Sequence, residues 1–128
     1  MNTRYVLVHV SLGCDGGYNP KHARRILRDI KDKSSIDIVV LSNEREFAER
    51  ERYAKEWNIP VERFYYSYDG HLDDVNLPSD YFIGTKAVVM GYSYSLKGNP
   101  ACINNVVLDL VIKAKKVEIS QDKVNVVP

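Results

Sequence analysis

Four short apolar runs, each rich in β-branched or aromatic residues, constrain this chain more than anything else in it. They are Tyr5–Val10 (YVLVHV), Ile36–Leu41 (IDIVVL), Arg63–Tyr68 (RFYYSY) and Ala87–Tyr92 (AVVMGY). Runs that are nearly continuous in hydrophobicity, rather than alternating, mark strands covered on both faces, as inside a parallel sheet. Helical patterns stand between them. Asn19-Pro20 supplies a cap and a first helical residue. After it Ala23, Ile26, Leu27 and Ile30 share one face, while Lys21, Arg24, Arg25, Arg28 and Lys31 crowd the other.

Ser42-Asn43 followed by Glu44 and Glu46 starts a second helix with acids where the macrodipole favours them. Its apolar stripe (Phe47, Tyr53, Ala54, Trp57) is narrow, and alternating Glu and Arg suit an outer helix. Asn58-Ile59-Pro60 ends it, because a residue before proline resists the α region. Asp69–Ser79 reads as a loop. Ser93–Gly98 is expected to lead, through Asn99-Pro100, into a further helix, Pro100–Lys115. That helix is apolar around most of its circumference, more than one sheet contact requires, so a second subunit is expected against it. Val117–Ser120 and Lys123–Val127 are expected as short closing strands around a Gln121-Asp122 turn.

Strand and helix thus alternate with short connections. The expectation is an α/β fold: a single domain over 1–128, built as a three-layer Rossmann-like sandwich with a mainly parallel sheet of about five strands. A length of 128 residues, 45% hydrophobic and 27% charged, suits one ordinary globular domain. Eighteen basic against seventeen acidic residues leave a net charge of +1, so no protein-wide positive field recommends nucleic acid as a partner. The apolar run at the N-terminus is broken by His9 and followed by glycine, which reads as a strand rather than a leader. No stretch has the roughly 20 apolar residues of a membrane span. A cytoplasmic location is expected. Cys14 and Cys102 stand apart from each other and from any histidine pair, so reduced thiols are expected, with neither a metal centre nor a required cofactor.

In an open parallel sheet, ligands bind outside the carboxyl ends of the strands, where helix N-termini present free amides and a positive dipole end. Three junctions answer to this description: Ser11–Lys21, Leu41–Arg45 and Tyr92–Cys102. The candidate binding residues are therefore Ser11, Gly13, Gly16, Gly17 and Asn19 in the first, Ser42 and Asn43 in the second, and Tyr92, Ser93, Tyr94, Ser95, Gly98 and Asn99 in the third. An anionic small molecule is the natural guest, with no dinucleotide or Walker fingerprint to narrow it. Among nine tyrosines, Tyr92 and Tyr94 are best placed to stack on a base, with Tyr18 next; Tyr65 should face away from Tyr66 and Tyr68. Asp15 and Glu44 are candidate acid or base groups, and Cys102 a candidate nucleophile in a first helical turn. His9, inside a buried-type run, reads as a hydrogen-bonded core histidine. His71 stands beside Asp73-Asp74, which is more often a solvated turn than a metal site.

Val8-His9-Val10-Ser11-Leu12-Gly13, Glu51–Pro60 (ERYAKEWNIP) and Ala87-Val88-Val89-Met90 followed by Ser93 and Gly98-Asn99 together resemble the SLOG superfamily. This Rossmann-like group takes in the lysine-decarboxylase-like phosphoribohydrolases, DprA and small nucleotide-sensing domains. The resemblance implies a strand-one ligand loop and a late loop that grips a phosphate. Where the family carries Gly-Gly-x-Gly-Thr and then a glutamate, this chain has Gly98-Asn99-Pro100-Ala101, so what the resemblance implies is the scaffold and its binding edge. The expected function is binding of a nucleotide-derived small molecule, as a sensor or sequestering protein. The alternatives are a nucleotide or N-glycoside hydrolase, and a protein-interaction module without ligand.

Overall fold

A computed structural model describes residues 2–10, 20–41, 44–67, 71–72, 85–96, 99–100, 105–109 and 116–127. Strand β1 (Asn2–Val8) lies between β2 (Ile36–Leu41) and β4 (Thr85–Leu96), parallel to both, and β2 carries β3 (Phe64–Tyr66), again parallel. The order is β3-β2-β1-β4. On its other edge β4 pairs in parallel with β6 (Lys116–Val127), and its end turns back into β5 (Asn99–Pro100), antiparallel. The helices are α1 (Pro20–Arg28), α2 (Glu44–Ala48), α3 (Arg50–Trp57) and α4, residues 105–109.

Strand side chains alternate between two buried clusters, as a period of two requires. Leu7, Val39, Leu41, Val88 and Met90 pack with Ala23, Ile26 and Leu27 of α1 and with Tyr53 and Trp57 of α3. Val6, Val8, Ile38, Val40, Ala87 and Val89 pack on the opposite side with Leu72 and with Val106 of α4. An α/β fold with a parallel sheet is what forms. No helix among the described residues is long and apolar enough to cross a membrane.

Several boundaries fall where the residues predict, and others do not. Strand β2 has its expected limits. Pro20 opens α1, and Asn58 ends α3 by adopting the left-handed conformation (φ 57°) while its N–H and that of Ile59 bond to Ala54 O. Tyr65 packs on the second cluster while Tyr66 faces Phe47, ring centroids 6.3 Å apart. The second helix, however, breaks at Glu49 into α2 and α3. The largest correction is at Asn99-Pro100, where no helix starts: β4 runs on through Ser93–Leu96, and Leu96 and Asn99 close a hairpin. Proline fixes φ near −65° and offers no N–H, which suits a short antiparallel edge as well as a first helical turn. The two closing strands are likewise one strand, β6, whose pairing with β4 shifts register between Ile119 and Val124 instead of turning at Gln121-Asp122.

Short side-chain bridges fasten the amino edge. Lys33 Nζ donates to Leu27 O and Ile30 O, capping the end of α1. Arg63 Nη1 donates to Ser34 O and Ile36 O at 2.8 and 2.6 Å. Asp32 caps the 3-10 turn Lys33–Ser35, accepting from Ser34 N at 3.0 Å and Ser34 Oγ at 2.6 Å, and these bonds hold its carboxyl below the usual carboxylate range. A depressed folded-state pKa contributes stability above the unfolded value, lost as pH falls through the folded one. The difference in melting temperature between the parent and Asp32→Ala should therefore be present at pH 6 and shrink as pH falls below the ordinary carboxylate value of about 3.9. A difference that grows on acidification would remove this account of the cap.

Candidate functional site

The strand order reverses between β1 and β4: β1 is followed in sequence by β2 on one side, and β3 is followed by β4 on the other. Chains leaving two neighbouring strands in opposite directions open a crevice at their carboxyl ends. Two described residues stand where β1 ends against β4.

The first is His9, just past β1. Its N–H extends the ladder to Val40 O at 2.8 Å, and it holds φ at +51°, uncommon without a glycine. The ring is fully buried, with Nε2 2.8 Å from Ser67 O. A carbonyl oxygen only accepts, so Nε2 carries the proton and donates. Ser67 N in turn donates to Leu41 O at 2.9 Å. The imidazole thus ties the end of β1 to the end of β3, and main-chain bonds of His9 and Ser67 tie both to β2, as the buried run around His9 predicts for a core histidine.

The second is Gly91, opposite Val8 in the β1–β4 pairing, with φ +142°. A Cβ there would stand 1.9 Å from Val8 O, a separation no side chain can occupy. Glycine is what lets the two central strands meet at the crevice.

Of the residues named from sequence, Ser11, Gly13, Asp15, Gly16, Gly17, Tyr18 and Asn19 lie outside the described residues, as do Cys14, Ser42, Asn43, Gly98 and Cys102. Tyr92, Ser93, Tyr94 and Ser95 are backbone positions of β4 past Gly91, and Asn99 belongs to β5. Glu44 is the exposed first residue of α2. The junctions after β1 and β2 thus end in helices α1 and α2, and the one after β4 ends in a hairpin.

His71 meets a residue that the sequence does not single out for it. Its Nδ1 is 3.4 Å from Asp109 Oδ2, which also accepts from Leu72 N at 2.7 Å. Asp109 thereby anchors 71–72 onto α4 over the second cluster. Asp73 and Asp74 lie outside the described residues, among which no group of three His, Cys, Asp or Glu could hold a metal. Ser67, Gly91 and Asp109 are the residues that sequence reasoning passes over. The signal for Gly91 was present, since a lone glycine in a strand marks a bulge or a close backbone approach. Ser67 takes part through its carbonyl, which no sequence pattern reveals.

A basin of about 620 Å³ lies instead at the amino edge, lined by Lys31, Lys33, Ser34, Asn58 and Arg63 among others. Lys33 and Arg63 there donate to main-chain carbonyls, so two of its cations serve the scaffold. Comparison with protein-family models, curated proteins and solved structures yields no match.

Proposed function

We propose that this protein binds a nucleotide-derived small molecule in the crevice between the carboxyl ends of β1 and β4, as a sensor or sequestering protein. The observation that carries this reading is the reversal of strand order at that point in a parallel sheet, with Gly91 drawing the two strands together. On this reading the fold is a SLOG-like, three-layer Rossmann-like sandwich. Phosphates sit against Ser11, Gly13, Gly16, Gly17 and Asn19 near the start of α1, with Ser42, Asn43 and the Ser95–Asn99 turn alongside and the base against Tyr92 or Tyr94. Leu108 of α4, 63% exposed, is where the same reading seats a second copy of the chain.

A thermal-shift screen against ATP, NAD, ADP-ribose and cyclic nucleotides tests it. A ligand at 100 times its Kd stabilises by about 2.7 kcal/mol, which for a domain of this size raises Tm by about 10 °C. Gly98→Trp should abolish that rise. No rise with any of these compounds at millimolar concentration would end the proposal. A new chromatographic peak after incubation would instead assign a hydrolase, with Asp15, Glu44 and Cys102 as the residues to replace next.

A further inference from the structure

Helix α1 carries one lysine and three arginines and no acidic residue. At 100° per residue, Lys21, Arg24, Arg25 and Arg28 fall within an arc of about 100°, opposite the buried Ala23, Ile26 and Leu27. Lys21, Arg24 and Arg28 are exposed. Arg25 is half-buried, and its Nε and Nη2 are out of solvent with no acceptor among the described residues.

Part of this arrangement works against the helix. Like charges four apart repel, as Lys21/Arg25 and Arg24/Arg28 do, and Lys21 in the first turn opposes the macrodipole, which Arg25 and Arg28 in the last turn suit. The same chain avoids the problem on α2 and α3, where Glu and Arg interleave and Arg52 pairs with Glu49 at 3.0 Å. The self-repulsion on α1 is unrelieved by any ion pair to Arg24 or Arg28 among the described residues, and a polyanion would relieve it.

The form of the surface narrows the partner. Beside α1 a groove of about 280 Å³ is lined by Arg24, Arg28, Lys33, Leu27, Glu56 and Trp57. Trp57 stacks on Tyr53, centroids 4.8 Å apart, has Phe64 at 6.0 Å and is almost wholly buried, so it offers no open aromatic face to an unpaired base. Leu27 and Trp57 are only 6% and 5% exposed, which leaves no pocket for the apolar anchor of an acidic peptide. What remains is cations at regular intervals. Lys21, Arg24 and Arg28 span about 10 Å of helix, the rise of about three phosphates along one strand of a duplex.

We propose that the exposed face of α1 docks on the sugar-phosphate backbone of duplex nucleic acid, without regard to sequence. The near-neutral total charge is compatible with this, because the positive field is local to one helix. Arg24 and Arg28, the residues the test replaces, lie beyond the Ser11–Lys21 junction assigned to the crevice.

Fluorescence anisotropy of a labelled DNA duplex of about 20 base pairs tests the proposal. Three neutralised phosphates give a slope of log K against log salt of about −2.7, so raising salt from about 50 to about 200 mM should weaken binding about 40-fold. Scrambling the sequence should change nothing. Arg24→Glu/Arg28→Glu, at exposed positions and checked for retained fold by circular dichroism, should weaken binding at least about tenfold and cut the slope to about −0.9. Three results would overturn the proposal. One is no binding at about 50 mM salt, another is equal binding by the double variant, and the last is stronger competition by a glutamate-rich peptide than by unlabelled duplex, which would give the face to an acidic protein.

Discussion

Gly91→Ala is expected to cost about 4 kcal/mol or more of folding free energy, a loss reserved for a few kinds of single substitution. Two effects add. The backbone at φ +142° is a conformation that L side chains rarely adopt, which costs about 1–3 kcal/mol. The new methyl would also press on Val8 O at 1.9 Å, and the neighbouring atoms Val8 C and Val8 N lie at 2.8 and 2.9 Å. The obstacle is main chain at the hydrogen-bonded end of β1, which cannot swing aside as a side-chain tip does, so β1 and β4 must separate locally. Urea unfolding of the purified variant measures the loss. A cost under about 1 kcal/mol would mean that the two strands do not approach each other as described.

Arg4→Met is expected to lose about 3–5 kcal/mol, because it strips a buried carboxylate of its guanidinium. Arg4 grips Asp37 through both oxygens, with Nε at 2.8 Å from Oδ2, and also donates to Ser34 O at 2.9 Å. The Asp37 side chain is entirely out of solvent, whereas that of Arg4 is 26% exposed. Such a pair adds little against a well-packed apolar replacement, and most of the loss comes from leaving one charge behind. The double variant Arg4→Met/Asp37→Leu should therefore recover most of what the single variant loses. If the double variant were instead the less stable of the two by a further 3 kcal/mol or so, burial of the carboxylate without its guanidinium would not be the cause.

Much of this frame is legible in the residues, and what is not legible has physical reasons. Strand β2 declares itself because IDIVVL is nearly continuous in hydrophobicity, and the fold buries all six positions, among them its one charge, Asp37, which meets a partner in Arg4. The partner, 33 residues away on β1, cannot be found from spacing. The apolar face of α1 follows from its period, and so does His9 as a core group. The carboxyl-terminal third was harder to read. Ser93–Leu96 alternates polar and apolar residues in a way that suits a loop or a strand paired on an edge, and Asn99-Pro100 has the same local chemistry as Asn19-Pro20. One pair leads into a helix and the other into a hairpin. Only pairing with a distant strand separates them, and that information is not local. The candidate site divides in the same way: its place at the edge follows from alternation of strand and helix, whereas the way the strands meet there rests on a carbonyl of Ser67 and a close approach at Gly91 that only the fold brings about.

The two central strands of the sheet, β1 and β4, are made far apart in time. Asn2 aligns with Thr85, and Val8 with Gly91. A ribosome adding about 5–20 residues per second needs roughly 4–17 s to travel from one to the other. During that interval β1 and β2 can pair while a complete row of amides and carbonyls on β1 faces outward, beside some of the most apolar side chains in the protein. An edge of that kind recruits whatever strand arrives first, including one from a neighbouring nascent chain. The finished sheet hides this edge behind β4, so its exposure is confined to translation.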